Sequence, residues 1–409
     1  MAKVKVEFGR TAKEYELVER PYPHILVPTT KHVVHGWAYG YYTHSGYREC
    51  CSERILLNPY NGCSGNCPYC YTRVYGGYFK LWDEKGVVTV FERFDEKLKE
   101  ELSQLYGASC GYLSPATDPF QKPLENVYRL SEKSAYALLD LDIPVEFITK
   151  FGGNISLKLL DRMGEHPYKH CFCQFSVLTL DDDLRKVLVP GGSSVQEQLK
   201  AIRRCVDRGL FTVVRVDPII PGVNDDLKEI REIVEACKDL GVKHFIFSIC
   251  DIYGSVFRRM KAVAEKNFPD AIKVWKAVYT EKLDGSMQAN TAYRKMVFGA
   301  LRRICLEEGV TMSLCMEFEL VERGGRKWYR GLNEDYALTS NCEGIDIPFY
   351  YRKSLKEKFK PLPGCNGNCL ACAKRLQVPV CGERKLASAS SLKYHDYLKL
   401  RPHRAVRLA

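Results

Sequence analysis

Short apolar runs alternate with amphipathic stretches of helical length through the middle of the chain. The predicted strands are RILLN (54–58), CGYLSPA (110–116), VEFITK (145–150), CFCQFSVL (171–178), FTVVRVDP (211–218), HFIFSIC (244–250) and TMSLCM (311–316). Repetition of strand, helix and strand implies parallel pairing through right-handed crossovers, and nearly all-apolar strands imply a sheet covered by helices. We therefore predict an α/β fold, a partial or complete parallel (β/α) barrel, with its site at the C-terminal ends of the strands.

The length of 409 residues allows one such barrel with appendages. We predict an N-terminal extension over 1–51, the barrel over 52–316, and a small cysteine-rich C-terminal extension over 317–409. The chain has no apolar run of 18 residues, and its start, MAKVKVEFGR, lacks the apolar core of a signal peptide. The expectation is a cytoplasmic protein without a membrane partner.

Three cysteines crowd the loop that follows the first predicted strand. The stretch NPYNGCSGNCPYCYTR (58–73) contains Cys63, Cys67 and Cys70. The chain has 18 cysteines, and in a reducing compartment such a number favours metal ligation over disulfides. Three thiolates on a [4Fe–4S] cluster would leave one iron open to a small molecule. The alternative is a zinc site whose fourth ligand comes from elsewhere.

Several segments together resemble the radical S-adenosylmethionine (SAM) superfamily, in the spore photoproduct lyase-like (DNA repair photolyase-like) branch. They are the cysteine loop, SPATDPFQKPLE, FITKFG, VLTLDDDLRKVLVPGG and VRVDPIIPGVND, within roughly residues 52–250. The resemblance implies that SAM chelates the open iron of a [4Fe–4S] cluster. One electron, from a donor such as ferredoxin or flavodoxin, would then cleave SAM to a 5′-deoxyadenosyl radical that abstracts hydrogen from a substrate.

The resemblance also assigns SAM contacts to strand ends. Alternation along LSPATD puts Ser114 and Asp118 on one face, and Asp118 or Thr117 is expected to accept a hydrogen bond from the SAM ammonium. Lys150, which matches the motif in FITK, is expected to pair with the SAM carboxylate, and Ser176 is expected to point inward near it.

Arg215 closes another buried strand, where an unpaired charge would be costly. It would pair either with the SAM carboxylate or, as a purely structural ion pair, with Asp217. The resemblance places Tyr69 and the segment PIIPG (218–222) against the adenosyl group. The alternative for Tyr69 is simple packing over the cluster.

One departure from the lyase concerns hydrogen return to the substrate. In spore photoproduct lyase, a cysteine three residues before the aspartate of the second strand returns a hydrogen atom, whereas this chain has Pro115 there. Cys110 begins that strand and should lie at the opposite end of the barrel. Tyr71, like Tyr69, matches a tyrosine of the lyase and is the catalytic candidate, although a phenol donates hydrogen to carbon less readily than a thiol. We therefore expect a reaction other than efficient repair of spore photoproduct.

A second cysteine set lies in the C-terminal extension. The segment PGCNGNCLACAKRLQVPVCG contains Cys365, Cys369, Cys372 and Cys381, and Cys342 lies upstream as an alternative fourth ligand. Four thiolates can close a cluster completely, so we predict an auxiliary [4Fe–4S] cluster. A Cys₄ zinc site is the alternative.

Net charge is +11, and the last residues, YHDYLKLRPHRAVRLA, mix basic and aromatic side chains. These features are compatible with a nucleic-acid substrate or with an ordinary solvated surface. Two functional classes follow: a radical SAM enzyme, a lyase or another radical-initiated catalyst, and a non-catalytic iron–sulfur or zinc protein that binds nucleic acid. The set Asp118, Lys150 and Ser176 favours the enzyme, because a binding module has no need of it. The substrate is not readable from the sequence.

Overall fold

Seven parallel strands form one sheet at the centre of the protein. The computed structural model describes residues 2–36, 54–283, 285–369, 372, 379–387 and 391–402. The strands of the sheet are β1 Ile55–Leu57, β2 Gly111–Leu113, β3 Val145–Thr149, β4 Phe172–Ser176, β5 Phe211–Ile219, β6 His244–Ile249 and β7 Thr311–Leu314. Each pairs with its neighbours in chain order, and all pairs are parallel. The α/β prediction is confirmed, with every predicted strand in the sheet.

The sheet has two edges in the part of the chain that the structure describes, β1 and β7, so the barrel is partial. Helices pack on its outer face through apolar stripes, as in Leu227–Asp239, where Ile230, Ile233 and Val234 are buried. The described helices between β1 and β7 are Tyr78–Lys85, Phe94–Ser103, Leu124–Tyr128, Leu130–Leu139, Leu157–Gly164, Asp182–Leu188, Val195–Val206, Leu227–Asp239, Gly254–Asn267, Ala271–Val278 and Thr291–Glu307, with short 3₁₀ turns at Tyr71–Val74 and Gly152–Asn154.

A buried row of polar side chains, the interior polar network, crosses the inside of the barrel. Arg54 Nε donates to Glu146 Oε1 at 2.7 Å, and Gln174 Nε2 donates to Glu146 Oε2 at 3.2 Å. Arg215 Nη1 donates to Gln174 Oε1 at 3.0 Å, and the same guanidinium pairs with Asp217. Because every charged member has a partner inside the protein, the network avoids the cost of isolated buried charges.

One predicted strand is wrong in length. CGYLSPA was expected to extend to residue 116, but β2 ends at Leu113 and Ser114 has a φ of +53°. A left-handed residue breaks the alternation of side chains, so the argument that Ser114 and Asp118 share a strand face fails. Pro115, which cannot donate a backbone hydrogen bond, follows at this turn.

Smaller elements surround the barrel. The antiparallel pairs are Lys3–Phe8 with Thr11–Glu16, Glu281–Leu283 with Ser286–Gln288, and Phe318–Arg323 with Arg326–Gly331. His24–Pro28, Val88–Glu92 and Tyr60–Asn61 form a three-stranded sheet. The boundary predicted at residue 52 lies outside the described residues, and the domain limits stay predictions. Among the described helices, none has the length and apolarity needed to cross a membrane.

The C-terminal tail, defined here as the described residues from 341 onward, contains only short elements. They are Tyr350–Tyr351, Lys360–Pro361, Arg384–Ala387 and Tyr394–Lys399. Tyr350–Tyr351 pairs with Gly107–Ala108, which lies just before β2. The tail therefore sits against the end of the barrel where the strands begin, which we call the N-terminal mouth. Residues 403–409 of the basic C-terminal stretch lie outside the described residues.

Candidate active site at the C-terminal ends of the strands

The three-cysteine loop leaves β1 at the end where the strands finish, the C-terminal edge. Trp82 Nε1 donates to the Cys63 carbonyl at 3.0 Å, and Arg73 Nε donates to the Cys67 carbonyl at 3.2 Å. At Gly65 a Cβ atom would lie 3.2 Å from Cys63 Sγ, so the loop wraps closely around that sulfur. These contacts fix the backbone that carries the thiols.

Burial governs the ionisation of these thiols. It raises the pKa of Cys63 well above its usual value, and the nearby Asp118 carboxylate and Cys67 thiol add to this rise. Burial also raises the pKa of Cys67 to about 11, against the influence of the Lys150 ammonium. Mutual effects of this kind require the sulfurs to be close together. The thiolate forms that bind iron therefore need a positive centre among them, which a bound metal cluster supplies.

Asp118, Lys150 and Ser176 meet beside this loop. The Asp118 carboxylate accepts hydrogen bonds from the backbone N–H groups of Phe120, at 3.0 Å, and Lys150, at 2.7 Å, and from Thr149 Oγ1 at 2.8 Å. Lys150 Nζ donates to Ser176 Oγ at 3.1 Å. Burial raises the pKa of Asp118 to about 6, although its hydrogen bonds act in the opposite direction. The predicted set is thus assembled, with Asp118 positioning the backbone of Lys150.

Two other predicted SAM contacts use their hydroxyls within the protein. Thr117 Oγ1 donates to the Gly62 carbonyl at 2.6 Å, and Ser114 Oγ contacts the Leu57 carbonyl at 3.4 Å. Both bonds tie the end of β2 to the cysteine-loop side of β1. Their roles as direct SAM contacts stay predictions.

Arg215 forms the ion pair with Asp217 that the sequence offered as the structural alternative. Its Nε lies 3.2 Å from Asp217 Oδ2, and its Nη1 reaches Gln174. Its role as a SAM ligand stays a prediction.

The two tyrosines of the loop occupy different surroundings. Tyr69 is buried beside Ile220 of the PIIPG segment, and both line an apolar cavity with Trp275 and Phe268. In the described part of the chain the Tyr69 hydroxyl has no hydrogen-bond partner, although the Cys67 thiol is near enough to affect its pKa. Tyr71 is 39% exposed and donates to the Pro115 carbonyl at 2.7 Å.

The family model of the radical SAM superfamily matches residues 57–237. That range contains all three loop cysteines and every predicted SAM contact. Residues 57–237 therefore carry a radical SAM domain. A radical SAM domain implies a [4Fe–4S] cluster and SAM as cofactors, and it supports an enzyme.

Two curated relatives are similar over long ranges. The chain is 28% identical to a radical SAM Nalpha-GlyT isomerase of Pseudomonas phage M6 over 389 residues, which is 92% of this chain and 78% of the relative. It is 21% identical to an uncharacterized protein of Methanocaldococcus jannaschii over 255 residues, 62% of this chain and 90% of that protein. A spore photoproduct lyase structure with bound AdoMet and dinucleoside spore photoproduct aligns at 15% identity and a TM-score of 0.48, covering 66% of this chain and 78% of that one.

The residues present fit the radical SAM cofactors. Three thiols share one tightly wrapped loop, a lysine and a serine stand next to them, and a buried tyrosine hydroxyl lacks a partner. Gly191 packs so closely on the loop that a Cβ atom there would lie 2.2 Å from the Ser64 carbonyl oxygen. Within the described ranges, no three His, Cys, Asp or Glu side chains are placed to hold a single metal ion.

The sequence analysis missed two groups at the C-terminal edge, Cys315 and Asp251. Cys315 directly follows β7 and is half-buried; its sulfur influences the pKa values of Tyr71 and Arg215. Asp251 follows β6, and burial raises its pKa to about 6, with Glu317 adding to the rise. Alternation from Ser313 to Cys315 along TMSLCM was the available signal, because it places Cys315 on the inward face.

The second cysteine set lies elsewhere. Cys365, Cys369, Cys372 and Cys381 line one cavity together with Arg54 and Cys110, which immediately precede β1 and β2. This position is the N-terminal mouth, so the expectation for Cys110 is confirmed. Cys342 does not line that cavity, and its carbonyl oxygen accepts a hydrogen bond from Ser313 Oγ at 2.5 Å.

Proposed function

We propose that this enzyme reductively cleaves SAM at a [4Fe–4S] cluster held by Cys63, Cys67 and Cys70, and abstracts hydrogen from a substrate at the C-terminal edge. The observation that carries the proposal is the meeting of this thiol loop with Lys150 and Ser176 at adjacent strand ends. When bound, the cluster supplies one electron to SAM, and the resulting 5′-deoxyadenosyl radical supplies the hydrogen abstraction.

The chain itself would position the cofactors. The Lys150 ammonium lies near the Cys67 thiol and can offset the negative charge of the thiolates or of a SAM carboxylate. Asp118 keeps that lysine in place through its backbone N–H. The cavity beside Tyr69 and Ile220 offers an apolar, water-poor surface for the adenosyl group. Tyr71, partly exposed at the edge, is the residue we propose to face the substrate.

We further propose that the overall reaction is a redox-neutral rearrangement. The support is the likeness to a radical SAM isomerase over 92% of the chain. A spore photoproduct lyase-like repair reaction is the alternative, and Pro115 counts against it because proline carries no thiol. A nucleic-acid substrate, a ferredoxin or flavodoxin as electron donor, and a cytoplasmic location belong to the same proposal. The net charge of +11 suits an anionic substrate.

The second cysteine set is proposed to hold another [4Fe–4S] cluster, with a Cys₄ zinc site as the alternative. Its place at the N-terminal mouth separates it from the SAM chemistry.

The test is anaerobic reconstitution with iron and sulfide, followed by dithionite and SAM. We expect release of 5′-deoxyadenosine, and its loss in Cys63→Ala, Cys67→Ala and Cys70→Ala, because two thiolates hold the cluster poorly. Cys305→Ala, which removes a buried thiol from the helix Thr291–Glu307, serves as the matched control and should retain cleavage. Undiminished cleavage in all three loop variants would refute the assignment. No cleavage by a fully reconstituted wild type would favour the non-catalytic binding protein.

A further inference from the structure

The cavity at the N-terminal mouth is a second candidate metal site, and four cysteines line it. Four cysteines of the tail surround about 500 Å³ of non-protein space, part of it open to solvent. The Phe349 backbone N–H points to Cys365 Sγ at 3.3 Å, a contact that stabilises a thiolate. Cys365, Cys369, Cys372 and Cys381 all line this one cavity, so the four side chains lie around a shared space.

Gly367 keeps the loop between Cys365 and Cys369 close to the rest of the tail. Its φ is +81°, and a Cβ atom there would lie 2.5 Å from the Ile347 carbonyl oxygen. Only glycine allows this approach. The loop is therefore shaped to direct its cysteines toward a shared centre.

We propose that Cys365, Cys369, Cys372 and Cys381 coordinate a closed [4Fe–4S] cluster that fastens the tail over the N-terminal mouth. This goes beyond the SAM cleavage proposed above and assigns the site a structural task. A zinc ion would draw four sulfurs to about 3.8 Å from one another, given tetrahedral Zn–S bonds of about 2.3 Å. Among the described residues, no three Cys, His, Asp or Glu side chains are placed to hold a single ion, which favours the larger cluster.

Cys381 is the fourth ligand in this proposal, and Cys342 is not. Cys381 lines the cavity, and Cys342 does not. The backbone of Cys342 instead bonds to side chains of β6 and β7. Its carbonyl oxygen is held by Ser313 Oγ and by His244 Nε2 at 3.1 Å. These bonds fix the Cys342 backbone against β6 and β7, and its side chain does not line the cavity.

The cluster would add to the packing of a tail whose regular elements are short and whose side chains, such as Phe349 and Tyr397, are buried in the core of the barrel. Its described helices have four and six residues, and its strands have two. Segments of this size cannot repay their conformational entropy through local hydrogen bonds. Metal ligation commonly supplies the missing stability in small cysteine-rich units.

The position also excludes direct contact with SAM or substrate. Arg54 and Cys110 line the cavity just before β1 and β2, whereas the thiol loop follows β1. The five residues from 54 to 58, in an extended conformation, already span about 13 Å. The cluster at the mouth therefore supports the barrel from the opposite end of the strands.

The experiment compares Cys381→Ala with Cys342→Ala in the reconstituted full-length protein. We expect about eight irons per chain in the wild type and in Cys342→Ala, and about four in Cys381→Ala. Limited proteolysis should then cut the tail of Cys381→Ala at least tenfold faster, while the remaining cluster still supports 5′-deoxyadenosine release. That release shows that the barrel is folded, and it separates failure here from failure of the proposed SAM chemistry.

Three results would overturn the proposal. Wild-type protein with about four irons and one zinc would identify a zinc site instead. Loss of iron in Cys342→Ala but not in Cys381→Ala would show that Cys342, and not Cys381, is the fourth ligand. Equal protease resistance of the tail with and without its metal would show that the metal does not stabilise the tail.

Discussion

The two cysteine sets lie at opposite ends of one barrel and are positioned by different means. Cys63, Cys67 and Cys70 follow β1, and their neighbours Lys150 and Ser176 come from the ends of β3 and β4. The tail cysteines come from a segment of short elements whose apolar side chains, Phe349 and Tyr397 among them, are buried in the core of the barrel. Parallel-sheet topology brings the first set together, whereas the second set is brought together by packing of the tail against the barrel.

Because of this difference, the stability of the tail and the chemistry of the SAM site can be changed separately. At the C-terminal edge, a substitution can remove a cofactor contact while the sheet remains intact. At the N-terminal mouth, a substitution can release the tail while the SAM site remains intact. Each prediction below changes one end and measures both.

The largest effect is expected from Arg352→Met. Arg352 is 1% exposed and donates to the carbonyl groups of Leu102, Ser103 and Leu105 at 3.0, 2.8 and 2.7 Å. Its loss leaves buried carbonyls without a donor, so we expect the tail to be destabilised by about 3–5 kcal/mol. Thermal unfolding and tail proteolysis measure this, with the exposed Arg384→Met as control. Unchanged tail stability would show that the metal alone holds the tail.

Lys150→Met tests the other end. Removing the ammonium beside Cys67 and Ser176 should lower the rate of SAM cleavage about 10–100-fold, the usual range for a lost charge-assisted hydrogen bond. Protease resistance of the tail should not change. The matched control is Lys158→Met, on the exposed face of a nearby helix. A rate equal to that of the control would remove Lys150 from the cofactor site.

His244 is a titratable residue of β6 that contacts the tail. Burial lowers its pKa from 6.5 to about 4, and its ring contacts the Cys342 carbonyl and packs on Gly344. The unfolded state therefore binds the proton first as pH falls, so stability present above pH 6.5 is lost toward pH 4. Between pH 7 and pH 5 the free energy of unfolding should fall by about 2 kcal/mol from this group. His244→Gln should flatten that part of the profile; parallel profiles for the two proteins would contradict the assignment.

The smallest effect is expected from Cys315→Ala. This thiol stands at the C-terminal edge but outside both ligand sets, so iron content should stay the same. The free energy of unfolding should change by less than about 1 kcal/mol, because the side chain is half-buried and small. Iron analysis and thermal unfolding check this. Loss of about four irons would show that Cys315 belongs to a cluster.

Periodicity predicted the seven strands because each is short and apolar, and because amphipathic helices lie between them. It overextended the second strand, since nothing in CGYLSPA announces that Ser114 turns left-handed. Lys150 and Ser176 were expected together and are hydrogen-bonded, because parallel strands end at the same edge.

The location of the tail could not be predicted from the sequence. It depends on contacts between residues far apart in the chain, such as Arg54 with Glu343 and Tyr350 with Ala108. No local pattern specifies such pairs. Cys110 could be placed because it precedes a strand, but the four tail cysteines beside it could not.

The interior polar network has a consequence for the alignment of neighbouring strands. Glu146 on β3, Gln174 on β4 and Arg215 on β5 meet only in the observed register. A slip of one residue would turn Gln174 toward the apolar helix layer and leave both charged neighbours without it. Apolar side chains tolerate such slippage, whereas directional polar atoms do not, so the protein encodes its stagger in hydrogen bonds.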